Sequence, residues 1–202
     1  EPTNACNANC VFCPRHAMTR PIGYMQFDFF SALIDQVVAL GPSELRLFHY
    51  GEPMLHPDLA CMISVAHQRG LSARFQTNGL FLPEERIREL LEAGMNYIGI
   101  SVNGLIPADY EAIRPGHAHA DLVVNLTRLR RIIAESGRGC HIHLNAHVDQ
   151  EELQERTEDI QTYKRTWLAV ADSLSISGLS RYDRVAVMKR GVICPTDIKD
   201  MP

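Results

Sequence analysis

The sequence predicts an α/β protein, a partial (β/α)6 barrel of parallel strands around an open lumen. Three observations lead there. Strand and helix signals alternate along nearly all of the 202 residues, the order that builds a parallel sheet with right-handed crossovers. Helices start with proline and stop at glycine at intervals of roughly thirty residues, which accommodates six βα units. The strands alternate polar and apolar residues instead of running apolar throughout, so one face of the sheet is expected to be wet.

The chain opens at Glu1-Pro2-Thr3-Asn4, inside the expected first strand and without an initiating methionine, and is expected to be an excerpt of a longer polypeptide. A cysteine-bearing loop follows. Phe27–Leu40 is helix-like and is stopped by Gly41-Pro42, after which Glu44–Tyr50 reads as a strand. Pro57–Arg69 suits a helix with proline in its first turn and Gly70 beyond its end, and it leads into a strand over Ser72–Asn78. The same grammar recurs in Pro83–Ala93, closed by Gly94, and the strand Asn96–Val102. Asp121–Ser136 puts Leu122, Leu126, Leu129 and Ile133 on one helical face and precedes a strand over His141–Val148. Glu151–Ala171 is the last long helix and Ser173–Ser177 the last strand. Residues 1–180 are assigned to the barrel, and 181–202 to a linker and the opening of an extension.

Alternation within the strands orients them. Ile98, Ile100 and Val102 oppose Tyr97, Gly99, Ser101 and Asn103; Ile142, Leu144, Ala146 and Val148 oppose His141, His143, Asn145 and His147. Ala73 and Phe75 oppose Ser72, Arg74, Gln76 and Asn78, while Leu174 and Ile176 oppose Ser173, Ser175 and Ser177. With the apolar sides under helices, the polar sides line a lumen that a closed barrel would have filled with branched apolar side chains. An incomplete barrel holding a ligand is the better match. An open sheet with polar edges is the weaker alternative.

Composition excludes several classes. Hydrophobic residues make up 46%, enough for one ordinary core, and a net charge of -4 announces no basic surface for nucleic acid or an acidic membrane. Apolar stretches are broken by charges such as Asp35 and Asp58, so no membrane span is predicted. Without a secretory signal pattern, the six cysteines are expected to be reduced thiols in the cytoplasm.

Cys6, Cys10 and Cys13 form a C-x3-C-x2-C triplet. Three thiolates this close can hold one soft metal centre, yet they supply one ligand fewer than a four-cysteine zinc or iron-sulfur site requires. A disulfide is a poor alternative at such spacing. A zinc knuckle would need a fourth ligand; His16 could be offered, at a spacing unlike that of a common finger. The triplet, with Phe12 before its third cysteine, resembles the radical S-adenosylmethionine (SAM) enzymes, whose 4Fe-4S cluster leaves one iron open to SAM.

Ligands in parallel βα folds lie at the carboxyl ends of the strands, and the resemblance continues there. Gly51-Glu52-Pro53 resembles the turn that receives the methionyl ammonium, with Glu52 as the charged acceptor and glycine allowing close backbone approach. Gln76-Thr77-Asn78-Gly79 and Ser101-Val102-Asn103-Gly104 look like the family's next strand ends, although Asn-Gly is also a plain turn signal. The resemblance implies Ser101 on the ribose, Thr77 and Asn103 nearby, Asn145 as a second polar contact, Arg114 on the methionyl carboxylate and Phe12 near the adenine. It also implies reductive cleavage of SAM to a 5′-deoxyadenosyl radical that abstracts hydrogen from a substrate carbon.

The deeper polar residues His49, Arg74, Gln76, Tyr97, His141, His143 and His147 are expected to surround the substrate. His117 and His119 form a loop pair that nothing in the sequence brings to the strand histidines. Cys61 and Cys140 read as inert buried thiols. The stretch from Arg184 to Cys194 resembles the opening of the SPASM or twitch extensions that bind an auxiliary iron-sulfur cluster; with one cysteine visible, either further ligands follow Pro202 or the site is degenerate. That branch modifies peptides, protein side chains or sugars. A peptide or protein substrate is the leading expectation, with an electron donor such as flavodoxin or ferredoxin. Alternatives are oxidation or rearrangement of a sugar or aminocyclitol intermediate and, from another class, a zinc-binding interaction module.

Overall fold

Parallel strands of alternating polarity can hide only one face, and helices cover that face here. The computed structural model describes residues 1–148 and 152–178. One sheet runs in the order β1 (Glu44–Arg46), β2 (Ser72–Thr77), β3 (Tyr97–Ser101), β4 (His141–Val148) and β5 (Ser173–Gly178), every neighbouring pair parallel. Helices α1 (Phe27–Ala39), α2 (Leu59–Gln68), α3 (Glu84–Glu92), α4 (Pro107–Ile113) and α5 (His119–Ser136) precede β4 in the chain. Two more, α6 (Glu152–Glu155) and α7 (Thr157–Trp167), connect it to β5. An open α/β sheet of this kind matches the partial barrel expected from the sequence.

The sheet has five strands among the described residues, one fewer than the six units expected. The difference lies at the start, where Thr3 makes an isolated antiparallel bridge with Tyr24 in place of a sheet strand. Pro2 O accepts from Met25 N at 2.7 Å and the Thr3 hydroxyl donates to Gly23 O at 2.7 Å, so the opening segment is bonded to the loop before α1 through backbone and side chain alike. β1 is also shorter than predicted. Its last ladder bond runs from Leu47 N to Arg74 O at 2.7 Å, after which the chain turns towards the opening segment.

Burial follows the predicted alternation. Ile98, Ile100, Val102, Ile142, Leu144 and Ala146 are buried against Leu122, Leu126, Leu129 and Ile133 of α5, in one continuous core with Phe75, Leu90 and Met62. Gly137 ends α5 in the left-handed conformation, φ 64°, where a side chain would be strained. The sequence reading missed α4, a seven-residue helix begun by Pro107 and held at its start by the Asp109 carboxylate, which accepts from Leu105 N at 3.0 Å. It also joined α6 and α7, which separate at Arg156 (φ −100°, ψ 43°). There the guanidinium bonds Asp159 of its own helix at 2.7 Å and Asp109 of α4 at 2.8 Å. No helix among the described residues is long and apolar enough to cross a membrane.

Leu144 is fully buried at the middle of the sheet. Leu144→Ala is expected to cost about 2 to 5 kcal/mol of stability, measured as a shift of the urea midpoint with unchanged slope.

Candidate active site at the strand ends

The site begins with a close packing of two backbones. A β-carbon added to Gly51 would lie 1.9 Å from Thr3 O, and Glu52 N donates to Ala5 O at 2.7 Å. Glycine is therefore required here by the opening segment that leads into the cysteine loop. The loop itself is tight: Cys13 N donates to Cys10 O and Val11 N to Ile113 O, both at 3.0 Å. Arg15, in the 3-10 turn Pro14–Ala17, reaches back to Asn9 Oδ1 at 3.2 Å. All three cysteines are free and half-buried, and burial pushes the Cys6 and Cys13 thiols up from their ordinary range.

Behind the loop, three polar residues bind one another out of water. Glu52, 2% exposed, accepts from Met54 N at 3.0 Å through one oxygen and from Asn78 N at 2.7 Å through the other. Burial pushes its carboxyl above the usual range, opposed by those two N–H groups, the Thr77 hydroxyl and the charge of Arg114. Arg114, 1% exposed, donates from Nη1 to Asn78 O at 3.0 Å and from Nη2 to Ser101 O at 2.6 Å. It also lies over the Tyr110 ring, 5.0 Å from its centroid. Burial works against its charge, yet the neighbouring Cys10 sulfur and Tyr110 hydroxyl outweigh that and hold it protonated. Its Nε is buried without a hydrogen-bond partner.

Asn78 is the centre of this arrangement. Its side-chain amide donates to Asn7 Oδ1 at 2.7 Å and to Cys6 Sγ at 3.8 Å, while its own oxygen accepts from Leu80 N at 2.9 Å. The sequence reading assigned Asn78 no role, because Asn-Gly is an ordinary turn signal. Its place two residues beyond Gln76, at the end of a strand facing the cysteine loop, was the available clue.

In front of the loop lies a cavity of about 250 Å³, lined by Cys6, Cys10, Cys13, Phe12 and by residues from the ends of β1 through β4. Gly51, Glu52, Thr77, Ser101, Asn103, Arg114 and Asn145 all reach it, as do His49, Gln76 and His147. Pro53 does not line it; it is buried and starts the 3-10 turn Pro53–Leu55 that Glu52 caps. Gln76 Nε2 donates to Ser101 Oγ at 3.0 Å and to Asn145 Oδ1 at 2.5 Å. The Ser101 hydroxyl thereby keeps its own proton for another acceptor. Thr77 is buried and accepts from Gly79 N at 3.1 Å, and Asn103 accepts from His147 N at 3.3 Å. His49 stacks on Tyr50 with centroids 4.0 Å apart.

The remaining lumen residues lie lower. Arg74, Gln76, Tyr97 and His143 line a second cavity, and His141 sits at the rim with Tyr97, its ring 5.6 Å away and nearly parallel. His141 and His143 both bond Ser173 Oγ, at 2.6 and 2.8 Å, so these histidines are tied to β5 serines. His119 packs between Tyr110 and Trp167, each 5.5 Å away, and does not meet the strand histidines. Cys61 is exposed, contrary to expectation, because its position on α2 faces away from the sheet; Cys140 is buried and its thiol pushed up to about 12. Cys194 and the boundary at residue 180 lie outside the described residues.

The sequence model of the Radical SAM superfamily matches residues 1–155. The chain belongs to this superfamily. Among curated relatives, Fe-coproporphyrin III synthase of Methanosarcina barkeri is 33% identical over 106 residues, 51% of this chain and 26% of the relative. AdoMet-dependent heme synthase of the same organism is 29% identical over 168 residues, 81% and 46% of the two chains. PqqA peptide cyclase of Gluconobacter oxydans is 30% identical over 114 residues, 56% and 32%. This radical SAM chain thus spans less than half the length of these relatives. Its fold matches that of Streptococcus suis SuiB bound to precursor peptide SuiA, with a TM-score of 0.66 and 15% identity over 89% of this chain and 38% of that one.

Membership implies a 4Fe-4S cluster and SAM, and the residues present fit both. The donor set is three thiols of one loop at the mouth of a cavity. The unpartnered Arg114 Nε is a buried donor awaiting an acceptor, a situation that costs about 1 to 3 kcal/mol if left unsatisfied.

Two substitutions test the frame. Gly51→Ala forces a backbone displacement and is expected to cost about 2 to 3 kcal/mol, read by thermal unfolding. Asn78→Ala leaves both oxygens of buried Glu52 bonded to backbone N–H groups but strips the side-chain contacts to Asn7, Cys6 and Leu80, and is expected to cost about 1 to 2 kcal/mol and to speed alkylation of Cys6 by iodoacetamide.

Proposed function

We propose that this chain carries the catalytic core of a radical SAM enzyme of the SPASM/twitch branch that acts on a peptide or protein. The reading rests on one observation above all: the Cys6, Cys10 and Cys13 loop shares a cavity with Glu52, Ser101, Asn145 and Arg114. Bound there, a reduced cluster and SAM supply one-electron cleavage of the sulfonium and a radical that abstracts hydrogen from a substrate carbon.

The protein's own residues bind and orient. Cys6, Cys10 and Cys13 would ligate the cluster as thiolates, and metal binding would overcome the burial that now favours the protonated forms of Cys6 and Cys13. Arg114, held protonated and immobile, offers Nε to the methionyl carboxylate. Glu52 acts mainly through the frame, since both of its oxygens already accept backbone N–H bonds; its remaining lone pairs and the Gly51 turn are available to the methionyl ammonium. Ser101 and Asn145, oriented by Gln76, face the ribose, with Thr77 and Asn103 shaping the wall. Phe12 supplies an apolar surface beside the adenine that helps exclude water.

Support for a peptide substrate comes from a relative named PqqA peptide cyclase. A tetrapyrrole is the second reading, favoured by the relatives named heme synthase, one of which aligns with 81% of this chain. The one-electron donor would be a flavodoxin- or ferredoxin-like protein in a reducing cytoplasm.

Anaerobic reconstitution is expected to give a brown protein with four irons per triplet, and dithionite is expected to release 5′-deoxyadenosine from SAM. Cys10→Ala should abolish both. Stoichiometric zinc in a colourless protein would instead establish the metal-binding module. Arg114→Ala and Ser101→Ala are each expected to weaken SAM binding by about 1 to 3 kcal/mol, measured by equilibrium dialysis on the reconstituted protein; unchanged affinity in both would refute the placement.

A further inference from the structure

The parallel register sorts the lumen side chains into rows. Arg46 lies opposite Arg74, and Arg74 stands over the Tyr97 ring, 4.7 Å from its centroid; Tyr97 in turn lies opposite His141. Two residues nearer the strand ends come Gln76, Gly99 and His143, and two beyond those Ser101 and Asn145. Gly99 contributes no side chain to the middle row, which opens a notch in the sheet face. A cavity of about 200 Å³ fills it, lined by Glu44, Arg46, Arg74, Gln76, Tyr97 and His143 among others. Phe48, Gln76 and Asn145 line this cavity and the cysteine-loop cavity alike, so the two share a wall.

The lower cavity is unbalanced in charge. Two guanidiniums facing each other across neighbouring strands repel, and one carboxylate serves both: Glu44 Oε1 meets Arg46 Nε at 2.8 Å and Oε2 meets Arg74 Nε at 2.9 Å. Only the Arg46 contact is a hydrogen bond; the buried Arg74 Nε has no hydrogen-bond partner, and the terminal nitrogens of both arginines make no hydrogen bond among the described residues. Tyr97 fixes the plane of Arg74 by stacking, which lowers the entropy lost when that fork takes a ligand.

We propose that this lower cavity anchors a carboxylate of the substrate, held by the terminal nitrogens of Arg46 and Arg74. A planar guanidinium edge matches a carboxylate in bidentate fashion, and the cavity has room for an acidic side chain or chain end, not for a folded partner. The proposal rests on the reading of the upper cavity as the SAM site. Ser101 is four positions beyond Tyr97 on β3, roughly 13 Å at the usual strand rise. A substrate reaching both levels therefore carries its acidic group on the order of 10 Å from the carbon presented to the cofactor.

The test is equilibrium dialysis of radiolabelled glutarate, and separately of inorganic phosphate, against the reconstituted protein with saturating SAM. One glutarate per chain is expected, weakened about tenfold or more in Arg46→Gln/Arg74→Gln. Glu44→Gln removes the competing carboxylate and is expected to tighten glutarate, a change of sign that misfolding cannot produce. If the wild-type protein cleaves SAM but binds no glutarate, or if the double variant binds it equally, the carboxylate subsite is refuted; tighter phosphate than glutarate refutes it as well. Failure of the wild type to assemble a cluster or cleave SAM would refute the reading of the upper cavity instead.

Discussion

The strand ends depend on a buried carboxylate and a buried guanidinium that share Asn78. Neither ion could stay out of water alone, since the cost of an unpaired buried charge exceeds what a marginally stable domain can spare. Glu52 is bonded to the Asn78 and Met54 N–H groups, and Arg114 to the Asn78 and Ser101 carbonyls. These bonds join the turn after β1, the ends of β2 and β3, and α4. The same asparagine touches Asn7 and Cys6, so the cysteine loop is referenced to the sheet through one residue.

A polar sheet face is a second constraint, met by pairing across strands. His143 bonds Ser173 and Ser175, and His147 Nδ1 meets the Ser177 hydroxyl at 3.0 Å. Gln76 reaches Ser101 on the next strand and Asn145 on the strand after that. Bonds of this kind satisfy the polar side chains of the open face across the strands. The lower arginines are less fully compensated than the upper rows, and that difference gives the lumen a direction.

Membership of the radical SAM superfamily accounts for the cysteine loop and the strand-end motifs, and the whole protein's reaction is a separate matter. Fold likeness at 15% identity carries the architecture alone.

Much was legible in the sequence because local rules governed it. Period-two strands, proline starts and glycine stops located β2 to β5 and α1, α2, α3 and α5 to within a few residues, since a buried face leaves little freedom of register. The triplet and the Gly51-Glu52-Pro53 turn were legible for the same reason: their chemistry is carried by contiguous residues. The sequence hid whatever depended on distant partners. The opening segment reads as a strand by composition, yet Pro2 O and the Thr3 and Asn4 side chains are bonded to residues some twenty positions away. Gly51 is required by Thr3, far from it in the chain, and a position's neighbours across the fold are invisible to spacing. Only the tertiary structure made Asn78 a hub and put Arg46 beside Arg74, because hydrogen bonds and charge balance are decided by which groups share a dry or crowded space.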